Sequence, residues 1–440
     1  MAGALNPTQL QSLDQYYVQD VEFISGNDSI SIKNLMQEFS IYEDIFKPAI
    51  TGNILITDSI GLINALKITG TEKIRLSFGK KSSTDVELVT KEFRIIRLGP
   101  RVKKSFTTEI YSIHFCSDEL VISESRKVSK AYVGKTIDDI VVDILDNYLD
   151  LAETDKNYTV QKTDGVYDFT IPLMKPFEAI NFVASYARGL NGNNNVYDFM
   201  FFENKDGFVF VSLEKLYQQA PFASYGYSPK NYFSPDTQAG LSYGNSIKSY
   251  TFLDTFDSLY GVSTGAFANR VITIDPMTKQ YYVDNFDYIQ YFNNTKHLND
   301  KPIISSISGD FASSYDAVVK VLTTNKNQEK ALGISDKPGS VAKDSFIADR
   351  IRYRTAQIPL SMYTRMKLSI PGDPNITVGN VIYIELPLIT ENQTGGIDEY
   401  HSGKYLVTAV RQIIDTNMEY ETILEVAKES YQTPVAKNEV

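Results

Sequence analysis

Apolar and polar residues alternate along residues 364–370, near the carboxyl-terminal end of the chain. Every second residue there is Met, Leu or Ile, and the residues between them are charged or polar, which predicts a half-buried strand. Turn-forming residues follow at 371–375, where proline fixes φ and glycine permits positive φ. Two further apolar stretches, 381–386 and 405–414, predict a meander of short antiparallel strands, the material of a small barrel or sandwich.

The same two-residue period dominates the first part of the chain, from residue 16 to about 118. It is clearest at 73–78, where Ile, Leu and Phe alternate with Lys, Arg and Ser. Two long strands, 86–98 and 105–116, flank a Gly-Pro turn. This region predicts a first antiparallel, barrel-like domain.

The period changes to that of a helix at 137–148, where the apolar residues share one side and the aspartates lie mostly on the other. Thr136 is the predicted N-cap of this helix. A second helix is predicted from Pro176 to Gly189, and a hairpin of two strands at 198–213. The segment 121–215 is therefore predicted to be a mixed α+β domain.

The next segments are less regular. Residues 218–246 are rich in Tyr, Ser, Pro and Gly and predict a loop, and strands are expected at 247–253 and within 268–288. Residues 291–342 are polar and are interpreted as a long excursion, followed by a helix near 344–356.

The predicted fold class is α+β, mainly antiparallel β, with two barrel-like domains and a mixed α+β domain between them. The predicted divisions are an N-terminal arm at 1–15, a first barrel at 16–120, the mixed domain at 121–215, a second barrel at 216–290 and 356–428, an insertion or peripheral segment at 291–355, and a C-terminal tail at 429–440.

Composition narrows the possible functions. The 440 residues suggest two to four domains, and the formal net charge of -11 disfavours tight nucleic-acid binding, because a clamp for phosphates is basic. Cys116, the one cysteine, excludes an internal disulfide and a multi-thiolate metal site, and it is predicted to be a buried apolar residue. No apolar run approaches the roughly 20 residues of a membrane span, and no secretory signal is evident.

Two short motifs resemble catalytic signatures. Gly134-Lys135-Thr136 matches the end of a phosphate-binding loop, but Ser129 stands where the first glycine belongs, so an ordinary loop with a threonine N-cap is favoured. Gly261-Val262-Ser263-Thr264-Gly265 has the letters of a nucleophile elbow. That motif needs a strand before and a helix after, whereas a strand is predicted to follow, so a glycine-flanked turn is favoured.

Candidate metal ligands and acids are scattered. The three histidines, His114, His297 and His401, show no ligand spacing and are interpreted as structural or exposed residues. Two acidic pairs, Asp138-Asp139 and Glu43-Asp44, could be imagined as glycosidase carboxylates, but solvated faces are the favoured interpretation. No catalytic, cofactor-binding or metal-binding residue is therefore predicted, and the chain is not expected to be an enzyme.

Three arginines cluster in the helix predicted near 344–356. Arg350 and Arg354 share a face at i,i+4 spacing, with Arg352 between them. Two interpretations stay open: the cluster pairs with acidic partners at an interface, or it forms a solvated face.

Several stretches together resemble the baseplate hub proteins of contractile-tailed phages. They are Ser40–Pro48, Thr51–Asp58, Gly70–Ile74, Lys130–Ile137, Leu368–Pro387 and Ser402–Thr408. The resemblance follows the chain in order, with the least agreement at 291–342.

The resemblance implies a structural virion protein of the tail baseplate, assembled in the host cytoplasm. It implies a homotrimer in which each subunit contributes two tube domains to a pseudo-sixfold ring. That ring joins the tail tube, or a tube-initiator protein, to the central spike, contacts other baseplate subunits, and passes DNA through its lumen without binding it tightly. No cofactor is implied. Acidic residues facing the channel are expected to keep DNA from binding there.

Two other classes stay open from the residues alone. The tyrosine-rich loop at 223–233 suggests a glycan-binding or adhesin module of a tail or injection apparatus. A ligand cleft lined by aromatic side chains, with binding by a monomer, would favour this class. A hydrolase would depend on Ser263 and the carboxylates, and an unchanged turnover after Ser263→Ala would remove it.

Overall fold

The computed structural model describes residues 16–26, 28–66, 68–81, 86–154, 156–190, 196–227, 245–276, 279–304, 314–323, 347–388, 396–415 and 420–434. The arm predicted at 1–15 lies outside the described residues. So do parts of the predicted excursion, of the tyrosine-rich loop and of the tail.

Strands make up most of the regular structure. They are β1 (Tyr16–Ser25), β2 (Asp28–Ser31), β3 (Met36–Asp44), β4 (Thr51–Asp58), β5 (Lys73–Lys81), β6 (Val86–Leu98), β7 (Val102–Lys103), β8 (Glu109–Cys116), β9 (Val128–Lys135), β10 (Tyr158–Val160), β11 (Tyr167–Met174), β12 (Phe199–Asn204), β13 (Gly207–Ser212), β14 (Ser224–Gly226), β15 (Ser249–Asp254), β16 (Ala268–Asp275), β17 (Gln280–Asp287), β18 (Lys301–Pro302), β19 (Val319–Thr323), β20 (Thr364–Pro371), β21 (Val381–Glu385), β22 (Gly403–Asp415), β23 (Tyr420–Lys428) and β24 (Ser430–Tyr431).

The helices are fewer and mostly short. They are α1 (Leu62–Leu66), α2 (Asp118–Ser125), α3 (Ile137–Tyr148), α4 (Pro176–Ala184), α5 (Leu213–Tyr217), α6 (Ser258–Thr264), α7 (Tyr288–Asn294) and α8 (Ile347–Ser361). The predicted fold class, α+β with mainly antiparallel strands, is confirmed.

One large sheet runs through both β-rich parts of the chain. Its main path is β15-β20-β23-β22-β3-β4-β8-β6-β5-β1-β2. The link between the two parts is the antiparallel pairing of β22 with β3, from Ala409 opposite Asp44 to Asp415 opposite Glu38. We call β1–β8 the first β unit, and β15 with β20–β23 the second β unit.

Each β unit has its own apolar core, and strand β22 contributes to both. Its amino-terminal half packs Leu406 and Val410 into the second core, whereas Ile414 lies in the first core. Tyr420, at the start of β23, is also fully buried in the first core. The two cores are therefore joined by shared strands as well as by the sheet.

The segment between the β units, residues 117–217, forms a mixed unit with a third core, in which α3 and α4 pack on β9–β13. The predicted N-cap is confirmed, since the Thr136 hydroxyl accepts a hydrogen bond from the Asp139 amide at 3.3 Å. Helix α4 begins at Pro176 as predicted but ends at Ala184, before Gly189. Phe202 of β12 reaches out of the mixed unit into the second β core.

The strands at 268–287 differ from the sequence analysis, which assigned them to the second barrel. They form a separate three-stranded sheet in the order β17-β16-β19, with α8 packed on it. Strand β19 comes from the predicted excursion and pairs with β16 in parallel. We call β16, β17 and β19 the small sheet. The alternation of a strand shows which faces are buried but not which sheet it joins, and a parallel partner leaves no local turn signal.

Candidate functional surface and the buried junction beneath it

The large sheet presents a polar face where the two β units meet. Strand registers place Arg411 opposite Tyr42 and Ile423, and Lys367 opposite Glu425, all on the side away from the cores. We call this surface the seam face. Its residues are Glu38, Ser40, Tyr42, Asp44, Arg365, Lys367, Ser369, Ala409, Arg411, Ile413, Glu421, Ile423 and Glu425.

Opposite charges neutralise each other on the seam face. Arg411 pairs with Glu38 at 3.2 Å, and its guanidinium lies over the Tyr42 ring at 5.4 Å from the ring centre. Arg365 pairs with Asp254 at the end of β15. A shallow groove of about 270 Å³ runs along this face. The groove carries both signs of charge and is not an acidic stripe.

The pairing of charges continues across the first β unit. Arg75 of β5 contacts Glu22 of β1 at 2.8 Å and Glu92 of β6 at 2.5 Å. Asp118, at the start of α2, pairs with Lys73 at 3.2 Å and with Arg94, which together hold the pKa of its carboxyl below the usual range although burial acts the other way. The exposed side of the sheet is thus polar along much of its length and has little unbalanced charge.

Glu43 lies on the opposite side of β3, beneath the seam face. Its carboxylate accepts hydrogen bonds from the Thr377 hydroxyl and from the Val378 amide at 3.2 Å, so it ties the first β unit to the loop before β21. Burial raises the pKa of Glu43, against an opposing effect of Lys91. This buried acid therefore holds together the two halves of the large sheet.

A second buried acid, Glu203 of β12, ties the mixed unit to the first β unit. Its carboxylate accepts from the Ile50 amide at 2.8 Å and from the Ser117 hydroxyl at 2.6 Å. Lys156 lies 2.5 Å from Glu203 and 2.7 Å from Glu119. Burial by itself would lower the pKa of Lys156, but the two carboxylates outweigh it and raise that pKa.

We call Glu43, Glu203, Lys156, Glu119, Ser117 and Thr377 the junction. Its members come from the mixed unit and from both β units, and Glu43 and Glu203 are at most 5% exposed. Buried charges of this kind are costly unless paired and hydrogen-bonded, and here they are. The junction is a device that fixes the three units against one another.

Another buried polar cluster holds α8 and α7 against the mixed unit. Gln357 of α8 accepts from the Tyr197 amide at 3.2 Å and donates to the Tyr291 hydroxyl at 3.0 Å. Arg354 donates to the Tyr197 carbonyl at 2.7 Å. Beside them Asp198 is buried, and burial, with a smaller contribution from Glu214, raises the pKa of Asp198 to about 7. These contacts are structural.

The arginine cluster of α8 is engaged within the chain. Arg350 lies over the Tyr186 ring at 3.7 Å, Arg352 donates to the Asn285 carbonyl at 2.8 Å, and Arg354 binds the mixed unit as described. Neither open interpretation anticipated this arrangement, in which the cluster connects α8 to two neighbouring parts of the same molecule.

The two motifs that resemble catalytic signatures fall on ordinary secondary structure. Lys135 ends β9 and Thr136 caps α3, as the loop interpretation expected. The expected turn at Gly261–Gly265 is wrong, since Gly261 to Thr264 belong to α6. Ser263 is exposed there, and its hydroxyl donates to the Tyr260 carbonyl at 3.2 Å. The helix precedes a strand, which is the reverse of a nucleophile elbow.

The three histidines lie apart. His114 is on the exposed side of β8 beside Arg97, and burial followed by that arginine lowers its pKa. His297 contacts Glu429 at 2.8 Å, and His401 contacts Asp398 at 2.7 Å. Within the described ranges no group of three or more His, Cys, Asp or Glu side chains could hold a metal ion. Cys116 is fully buried, as predicted.

The interpretation of the acidic pairs as solvated faces is wrong for one member of each. Glu43 is 5% exposed, and Asp138 is 2% exposed and accepts from the Thr163 amide and hydroxyl. The sequence held a signal for Glu43. It lies two and four residues after Ile41 and Phe39, whose side chains point into the core of the first β unit, and every second residue of a strand faces the same side. Asp138 also carried a signal, because helical spacing places it on the same side of α3 as the buried Val141 and Leu145. Its hydrogen-bonding partner Thr163 lies 25 residues away and could not be read from the helix pattern.

In the parts of the chain that the structure describes, no helix is long and apolar enough to cross a membrane. The tyrosine-rich loop at 223–233 lies partly outside those residues. No aromatic-lined cleft can therefore be assigned to it.

Comparison with known proteins gives full-length similarities. The chain is 22% identical over 438 residues to the probable baseplate hub protein gp334 of Vibrio phage KVP40, covering 97% of this chain and 96% of the phage protein. No family model matches the sequence. The resemblance to baseplate hub proteins is confirmed by this similarity, and it agrees with a structural protein that is not an enzyme.

Two solved structures share the fold over most of their length. One is the tail protein from Neisseria meningitidis MC58, with a TM-score of 0.52 and 11% identity, covering 94% of this chain and 97% of that one. The other is the 43 kDa tail protein of prophage MuSo2 from Shewanella oneidensis, with a TM-score of 0.50 and 8% identity, covering 93% and 98%. At these identities the similarity concerns the fold.

Proposed function

We propose that this chain, similar in sequence to a baseplate hub protein and in fold to phage tail proteins, is itself a baseplate hub protein of a contractile tail. Three copies form a ring to which each contributes its two β units, so that six similar surfaces meet the tail tube and three subunits meet the central spike. The two units with separate cores on one continuous sheet carry this proposal. Rigidly linked β units in one chain are what an adaptor between sixfold and threefold symmetry requires.

We assign the seam face to the lumen of this ring. A passage for DNA must be wetted but must not grip phosphates, and tight binding to nucleic acid comes from unpaired Lys and Arg. On the seam face Arg411 is neutralised by Glu38 and Arg365 by Asp254. Paired charge, in place of the excess acid expected from the sequence, supplies the low affinity.

The first test is the mass of the purified full-length protein in solution, by light scattering and native mass spectrometry. We expect three times the 49.5 kDa chain mass, and rings with a central opening in electron micrographs. A protein that stays monomeric at every concentration, or that forms a closed dimer, would contradict the ring.

The lumen assignment has its own test, the binding of duplex DNA at low salt. We expect weak binding by the natural protein, and tighter, strongly salt-dependent binding once Glu421 and Glu425 are both changed to Lys. The matched control adds two lysines to the mixed unit, at Glu124 and Glu153. If the two variants both assemble and bind DNA with equal affinity, the assignment of the seam face to the lumen is wrong.

A further inference from the structure

The small sheet exposes an apolar face. Its registers place Ile272 opposite Val283 and Val321, and Ile274 opposite Tyr281, so these side chains point the same way. We call this surface the open face. Its apolar residues are Ile272, Ile274, Tyr281, Val283, Val319 and Val321, and the same registers place three polar residues at its edges, Arg270, Asn285 and Thr323.

The open face is accessible in the single chain. Tyr281 is 71% exposed, Val321 60% and Val283 48%. Scattered apolar residues on a surface are normal, but a contiguous apolar patch on three adjacent strands marks a contact surface.

The other face of the small sheet is firmly held. Helix α8 packs on it, the Asn269 amide donates to the Arg352 carbonyl at 3.0 Å, and the Lys320 ammonium donates to the Thr355 hydroxyl at 2.8 Å. Val271 and Phe286 are buried on that side. The open face is therefore the outward side of an ordered sheet, and its exposure does not come from a missing contact with α8.

We infer that a second copy of this chain covers the open face in the assembled ring, an inference that rests on the proposed function. Each chain carries a formal charge of -11, so two copies repel each other and need a contact surface without net charge. The open face meets that need, because Arg270, the cation at its edge, is paired with Asp316 and lies over the Tyr315 ring.

The chemistry of the open face also favours a permanent contact. Interfaces between identical chains are more apolar than those of transient complexes and have few charges at their centre. A partner chosen by charge would find one charged side chain among the described residues of the open face, Arg270, and that side chain is already paired with Asp316. In a threefold ring the contact runs head to tail, so the open face of one subunit meets a different surface of the next.

The experiment compares two full-length double variants by native mass spectrometry and light scattering over a range of concentrations. Tyr281→Asp with Val321→Asp puts two charges on the open face. The matched control, Phe106→Asp with Val133→Asp, changes one aromatic residue and one strand valine that are 99% and 76% exposed elsewhere. We expect the open-face variant to dissociate to monomers at concentrations at least tenfold above those at which the natural protein and the control stay trimeric.

Circular dichroism and the melting temperature of the monomer show whether the charged variant is folded. If it is unfolded, Val321→Thr replaces it as the test variant, and Tyr281→Phe serves as the conservative control. Unchanged trimers of the open-face variant would overturn the inference and leave the proposed function standing. The same holds if the variant stays trimeric but loses another baseplate protein in a pull-down, or if the control dissociates equally. A natural protein that is always monomeric would overturn both.

Discussion

The protein carries charge in two ways, on the exposed seam face of the large sheet and in the buried junction, and the two differ in exposure and in the partners that satisfy the charge. On the seam face, Arg411 and Glu38 form a pair in which each side chain is nearly two-fifths exposed. In the junction, Glu203 is 3% exposed and is satisfied by Lys156, a backbone amide and a hydroxyl. Water and salt screen the exposed pair, whereas the buried group depends wholly on its protein partners.

This difference separates the two tasks of a proposed adaptor. The junction fixes the mixed unit and the two β units relative to one another, so that two surfaces of one chain can be held in a defined geometry. The seam face holds little free charge and is wetted, which suits a surface past which a polyanion slides.

Removing a junction carboxylate is expected to cost most. Glu203→Ala leaves the partly buried Lys156 with Glu119 as its remaining carboxylate and removes the carboxylate that accepts from the Ile50 amide and the Ser117 hydroxyl. We expect a loss of about 3–5 kcal/mol in the free energy of unfolding, measured in urea. Glu153→Ala, at an exposed site of the mixed unit, is the control and should change little. A loss below about 1 kcal/mol for Glu203→Ala would show that the junction does not hold the units together.

Lys428 is a fully buried lysine that, unlike Lys156, contacts no carboxylate among the residues that the structure describes. The Lys428 ammonium donates to the carbonyls of Tyr400, His401 and Ser402, at 2.9 to 3.2 Å, and burial lowers its pKa to about 7. Because the folded pKa lies below the unfolded value, the unfolded chain binds more protons between about pH 7 and 10, and stability rises with pH in that window.

We therefore expect the free energy of unfolding to rise between pH 7 and 9 by about 2 kcal/mol more in the natural protein than in the Lys428→Met variant. Urea unfolding of both proteins at the two pH values measures this difference, and comparison with the methionine variant cancels other titrating groups, Asp198 included. Parallel pH profiles would mean that Lys428 keeps an ordinary pKa inside the fold.

The smallest effect is expected on the seam face. Arg411→Ala removes one exposed ion pair and should cost about 0.5 kcal/mol, less at high salt. A double-mutant cycle with Glu38→Ala isolates the pair, and its coupling energy should stay below about 1 kcal/mol. A coupling of several kcal/mol would erase the contrast between the exposed and the buried charges.

Local patterns predicted much of the fold. The alternation at 73–78 and 364–370 and the helical period at 137–148 correspond to β5, β20 and α3, and Thr136 caps the helix as expected. These features depend on neighbours in the chain, so the sequence displays them directly. The division into domains stays a prediction.

What could not be predicted depends on distant partners. The pairing of β22 with β3 joins residues about 370 apart, and β19 joins β16 in parallel across a long connection. The alternation of β3 places Glu43 on the core side. The hydrogen bond that its carboxylate accepts comes from Thr377, which is distant in the sequence, so no local pattern reveals it. The open face was missed for the same reason, because its third strand, β19, comes from a distant segment and pairs with β16 in parallel.

Strands β22 and β23 also affect the order in which the protein can fold. Ile414 and Tyr420 complete the first core, although the other residues of that core lie between Val18 and Phe115. During translation the amino-terminal strands therefore leave part of their apolar surface uncovered until β22 and the start of β23 have been synthesised. The first β unit therefore acquires its full core only when strands distant in sequence have paired with it, so long-range pairing, and not local structure alone, completes this part of the fold.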